Sequence, residues 1–212
     1  MYQENKPQYR ILLLIALAHG LNDLIQGVIP SIYPTLQSKY ALTMTQVGVI
    51  TLCYQLSASI LQPLVGNYTD KHPKPYSQVL GMAFTTIGIV CLSLASSYAA
   101  ILCSVVFIGV GSSVFHPEAS RVAFLASGGR RSFAQAIFQL GGNFGTALAP
   151  LLVILLLLSK KIIDGRVVEE SHQGNLIWFA SFSIFAMFIL LLIGKWRSIL
   201  LKLLKKKVKK PV

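Results

Sequence analysis

The chain has 212 residues, of which 54% are hydrophobic and 12% charged, about half the charged share of roughly 25% in soluble domains. A mean hydropathy of +0.63 and apolar residues gathered into long blocks rather than stripes exclude a soluble globule. The net charge of +12 lies in the gaps between those blocks and in a tail that abuts the last one, with no aromatic interleaving beyond Trp196. That is the charge distribution of a membrane protein, not of a nucleic-acid binder.

In chain order, "MYQENKPQYR" is a polar, basic lead. No small-x-small cleavage site follows the first apolar run cleanly, and that run outlasts the apolar region of a signal peptide. A bilayer core of about 30 Å needs roughly 20 apolar residues per helix. Six segments meet this: Ile11–Ile32, Gln46–Val65, Ser77–Ala95, Tyr98–Phe124, Phe133–Leu158 and Leu176–Gly194. The predicted fold is an all-α membrane protein of six transmembrane helices over residues 1–194, followed by a basic tail over 195–212. With the N-terminus inside, fifteen of the 19 Lys and Arg residues flank the inner side; only Lys39, Lys160, Lys161 and Arg166 fall outside. Both termini are therefore predicted to be cytoplasmic. The tail reads either as a basic amphipathic extension on anionic headgroups or as an ordinary positive stop.

The first segment carries "HGLNDLIQGVIP". Spacings of 3, 1 and 3 put His19, Asn22, Asp23 and Gln26 on one helix face. An ionised carboxylate near the bilayer midplane costs about 2.5–3.5 kcal/mol on insertion scales. That face is thus expected to meet protein or a wet cavity, with Asp23 and His19 as protonatable groups. Hydrogen-bonded glue between helices is the alternative reading, which suits Asn22 and Gln26. The second segment adds Gln46, Gln55, Ser59 and Gln62. In the fourth, "GVGSSVFHPEASR" places His116 and Glu118 towards the inner end, with Arg121 one turn on. This is either a helix-end charge pair or a second proton or substrate site, and Pro117 is expected to open the backbone there. In the fifth, Gln135, Gln139, Asn143, Thr146 and Pro150 form a polar stripe, beside Gly141, Gly142 and Gly145, which permit close approach or bending. Together these describe a bundle with a wet interior, suited to a transport pathway. A His and an acid recur three segments apart, the offset of a three-plus-three inverted repeat.

Catalytic and metal motifs are not found. Cys53, Cys91 and Cys103 form no CxxC pair, "HPE" lacks the second His of HExxH, and "GSS" at residues 111–113 lacks the G-x-S-x-G elbow. Neither an enzyme nor a cofactor nor a metal is expected.

The stretch "GNYTDKHPKPY" resembles the inner-loop motif of the major facilitator superfamily, G-x-x-x-D-[RK]-x-G-[RK], through Gly66, Asp70, Lys71 and Lys74, with Pro73 in place of the second glycine. Here Gly66 is expected to allow close packing and Asp70 to cap a helix N-terminus. In the family the loop Asp works with a basic residue at the inner end of the fourth helix, where Arg121 stands. "GTALAP" is similar to the family's antiporter motif at Gly145 and Pro150; Ala149, Val153 and Ile154 depart from it. From His19 to about Leu158 the whole pattern looks like the fosmidomycin-resistance branch. The resemblance implies a bacterial inner-membrane efflux protein, driven by inward proton flow and acting on small molecules. It also implies His19, Asp23, His116 and Glu118 as candidates for proton coupling or cavity lining. Family members have twelve spans in two halves. This chain is expected to be an N-terminal half: a fragment, a truncated product or one partner of a split transporter, with a homodimer of halves as a further arrangement. A non-transporting membrane protein, an assembly factor or a gene relic, is the alternative.

Overall fold

A computed structural model describes the backbone of residues 6–163 and 166–208, and the side chains of residues 6–158 and 172–199. Seven helices dominate: α1 (Tyr9–Ser31), α2 (Tyr33–Tyr40), α3 (Met44–Lys71), α4 (Ser77–Leu94), α5 (Tyr98–Ala126), α6 (Arg131–Leu157) and α7 (Ile177–Val208). Six are long and apolar enough to cross a membrane; α2 is the short exception.

Local chemistry sets several boundaries. Thr43 and Gln46 form a reciprocal capping box that starts α3. Ser97 accepts from the Ala100 amide at 3.2 Å and starts α5. Gly128 and Gly129 both take positive φ in the turn between α5 and α6, which glycine adopts without steric cost. Pro117 and Pro150 each lie inside unbroken helices, so the backbone opening expected at Pro117 does not interrupt α5.

Two departures from expectation stand out. Helix α3 continues six residues past Val65, so Asp70 sits in its last turn instead of capping a helix N-terminus. Between α6 and α7, β1 (Leu158–Ile163) pairs antiparallel with β2 (Arg166–Ser171), with Ile163 opposite Arg166. The sequence "IIDGRVV" carries the reason: β-branched residues flank Asp-Gly, a strong hairpin signal. Helix α7 does not stop at Gly194, and the expected amphipathic character of the tail falls on side chains outside the described residues.

The core has two apolar tiers. One gathers Ile25, Val28, Ile89, Val105 and Phe179. The other, nearer the N-terminus, gathers Leu12, Ile15, Met82, Phe115 and Ile189. Between them lies a buried polar waist of His19, Asn22, Thr85, Ser112, Ser113 and Ser183. Helix α1 packs chiefly on α6. Their crossing is close because Gly20 faces Gly141 and Gly145: a Cβ on Gly20 would lie 2.8 Å from the Gly141 carbonyl oxygen. Helices α3 and α6 are the least buried of the six spans. They expose Leu52, Leu56, Ile60, Phe144, Leu151 and Leu155.

Candidate functional site

The waist holds the site. His19 Nδ1 lies 2.8 Å from the carbonyl oxygen of Phe138 on α6. A carbonyl only accepts, so Nδ1 carries the hydrogen and the other ring nitrogen is left to face the acid. The Phe138 ring stacks on the imidazole at 3.8 Å and 9° and fixes its plane. One turn along α1, Asp23 Oδ2 lies 3.1 Å from His19 Nε2. The other oxygen, Oδ1, accepts from Asn22 Nδ2 at 3.1 Å and stands 3.7 Å from His116 Nε2, supplied by α5. Gly142 makes this arrangement possible, because a Cβ there would come within 2.5 Å of His19 Cε1 and 2.6 Å of Asp23 Oδ2.

The pairing has a chemical consequence. With Nδ1 protonated, a neutral His19 turns a lone pair towards Asp23. A lone pair and a carboxylate at 3.1 Å repel unless a proton or another cation lies between them.

Asp23 also separates two cavities. A larger one, about 680 Å³, is lined by His19, Asp23, Gln62, His116, Ser120 and Gln139, among others. A smaller one, about 270 Å³, is lined by Asp23, Gln26, Tyr33, Thr51, Tyr54 and Thr146. No Lys or Arg lines either among the described residues. Gln26 Oε1 accepts from Tyr54 at 2.5 Å and Ser112 at 3.3 Å, which ties α1 to α3 and α5. The α6 stripe follows the same route: Gln135 and Gln139 line the first cavity and Thr146 the second. Asn143 is exposed between them and lines neither.

Glu118 belongs elsewhere. It is fully buried and ion-paired to Arg121 at 3.0 Å and to Arg197 at 2.5 Å. Ser77 donates to it at 2.7 Å, and Gln78 donates to its backbone carbonyl at 2.9 Å. Arg121 in turn donates to the Thr69 carbonyl at 2.8 Å and pairs with Asp70. The chain Asp70–Arg121–Glu118–Arg197 thus fastens α3, α5, α4 and α7 at one end of the bundle. Lys71 and Lys74 are exposed beside it. Gly66 lines the larger cavity; a Cβ there would sit 4.0 Å from Pro117 Cβ. Close packing at Gly66 is therefore not what the structure requires of it. Gly145, by contrast, lies against the Gly20 backbone with no room for a side chain, and Pro150 is exposed within α6. Arg197 was not expected: it reads in the sequence as part of a basic tail, and only its place one residue after Trp196 in a still-apolar stretch hints at burial.

Comparison with known proteins agrees with this architecture. Residues 15–211 match the Major Facilitator Superfamily. The fosmidomycin resistance protein of Escherichia coli K12 is 47% identical over 193 residues, which is 91% of this chain and 45% of that protein. An uncharacterized MFS-type transporter of Bacillus subtilis 168 is 43% identical over 188 residues, 89% of this chain and 43% of that protein. The chain thus spans about half the length of the curated relatives it matches. A crystal structure of a bacterial homolog of the human lysosomal transporter Spinster, inward-facing and unoccupied, superposes with a TM-score of 0.68 at 19% identity. That match covers 87% of this chain and 42% of the other, and it supports the fold alone. A six-span helical bundle with a polar waist, matched over nearly its whole length, belongs to the Major Facilitator Superfamily.

Proposed function

We propose that this chain is the N-terminal half of a proton-coupled antiporter that exports small molecules across the bacterial inner membrane, with both termini cytoplasmic. The observation that carries the reading is the His19–Asp23 pair, a one-proton seat opening on a cavity of about 680 Å³. The asymmetry of Lys and Arg between the two sides supports the orientation. The resistance relative supports efflux of a drug-like cargo. The exposed apolar faces of α3 and α6, together with the relatives' greater length, support a second six-helix half as partner.

In this reading the cavity residues divide the work. Asp23 and His19 take up and release the proton, and His116 stands at the second carboxylate oxygen as a further proton acceptor. Gln26, Gln62 and Gln139 offer neutral hydrogen bonds to a polar cargo without fixing a charge. Protonation changes the charge that the seat presents to the larger cavity, and this couples proton uptake to the binding and release of cargo. Asp70, Arg121 and the exposed Lys71 and Lys74 set the inner end that must open and close, and Gly145 and Pro150 shape the crossing of α6 on α1.

The test uses this chain joined to or co-expressed with a second half, in everted membrane vesicles under an imposed pH gradient. Asp23→Asn keeps the shape and removes the titrating carboxylate. Proton-driven export of fosmidomycin falls to background if the reading holds. Export that persists at the original rate in that variant refutes it.

A further inference from the structure

The three groups that meet at the waist are also a ligand set. His19, Asp23 and His116 each offer one donor atom, and these lie within 4.8 Å of one another. His19 Nε2 lies 3.1 Å from Asp23 Oδ2, and His116 Nε2 lies 3.7 Å from the other carboxylate oxygen, Oδ1. A tetrahedral ion with bonds of about 2.0–2.2 Å spaces its ligands about 3.4 Å apart. Each value lies near that edge, so an ion held by both imidazoles would face both carboxylate oxygens.

Other features fit a metal. The Phe138 carbonyl takes the Nδ1 hydrogen of His19, which both orients the ring and leaves Nε2 to coordinate, the usual outer support of a metal-bound imidazole. Asn22 donates to Oδ1, the oxygen that faces His116, and steadies the carboxylate. His19 and Asp23 stand at i and i+4 on one helix face, a spacing that aims two ligands at one ion. His116 is partly exposed and lines the larger cavity, which has room for water at the remaining coordination positions. Two imidazoles and one carboxylate favour a zinc-class ion over Mg²⁺ or Ca²⁺, which prefer all-oxygen shells.

We infer that His19, Asp23 and His116 form a three-ligand site for a divalent transition-metal ion of the zinc class, entered from the larger cavity. The titratable groups facing Asp23 are His19 on α1, His116 on α5 and, across the smaller cavity, Tyr33 on α2 and Tyr54 on α3. Helix α6 contributes Gln135, Gln139, the Thr146 hydroxyl and the Phe138 carbonyl, none of them charged. The ion would take the imidazole and carboxylate atoms that the proposed function gives to the proton. Metal binding itself does not depend on the proposed transport function. Only its consequence, that bound metal blocks the proton's seat and stalls export, rests on that reading.

The experiment titrates tag-free, detergent-purified protein with Co²⁺. One ion per chain binds with a visible ligand-field band, Zn²⁺ displaces it, and Mg²⁺ does not. His116→Gln weakens binding at least about tenfold, the scale on which metal sites respond to loss of a supporting group. His72→Gln, an exposed position away from the cavity, binds as wild type. Absence of stoichiometric Co²⁺ binding, or unchanged affinity in a folded His116→Gln protein, overturns the inference. If that variant does not fold, X-ray absorption of the zinc-loaded wild type decides: a shell with two imidazoles and one carboxylate supports the site, and any other shell refutes it. Loss of export in Asp23→Asn without Co²⁺ binding in the wild type sinks only the metal site. Co²⁺ binding with export unchanged in Asp23→Asn sinks only the transport reading.

Discussion

Two acids sit inside this bundle, and their surroundings make them opposites. Glu118 is sealed, with a guanidinium on each side and a hydroxyl donor besides. Asp23 faces two imidazoles and lines a cavity on each side. The first arrangement is a fastener; the second is the one we propose to be a switch. A carboxylate's role is thus set less by its depth than by whether its partners can titrate and whether solvent can reach it.

The contrast is broken most sharply at the fastener. Glu118→Gln leaves Arg197 buried with no counter-charge, and removing one partner of a buried pair costs about 3–5 kcal/mol. A large drop in the thermal unfolding temperature in detergent is expected, and Arg197→Met should lower it less, because Glu118 keeps Arg121 and Ser77. A wild-type midpoint in both variants would dissolve the distinction. At the switch the expected effect on stability is small. Asp23→Asn retains a hydrogen-bonding group of the same shape beside His19 and Asn22, so its unfolding free energy should change by about 1 kcal/mol or less. A loss at Asp23 as large as that at Glu118 would make both acids structural.

Much of this was legible in the sequence, for reasons that also explain what was not. The i, i+4 spacing of His19 and Asp23 within an apolar run makes their shared face readable, because helix periodicity is fixed. His116 and Glu118 are two residues apart on one continuous helix, and residues i and i+2 do not share a face. One therefore joins Asp23 and the other the arginines, a separation that reading "HPE" as a single motif hides. The second ligand of Glu118 comes from α7, 79 positions along the chain, where no local pattern points back to it. Gly142 looks like its neighbour Gly141 in the sequence, yet only the packing of α6 on α1 shows that one faces the acid and the other the Ala16 backbone. The hairpin between α6 and α7 carried its own signal in "IIDGRVV", which the prevailing helical pattern obscured.

The central claim is that His19 and Asp23 hold one exchangeable proton facing the cavity. Infrared difference spectroscopy of the membrane-reconstituted protein, titrated across roughly pH 5 to 9, reads it directly through carboxyl and imidazole bands. The expected result is one protonation step that alters both sets of bands together and is absent from Asp23→Asn. A step that survives that substitution unchanged, or no step at all, would contradict the account.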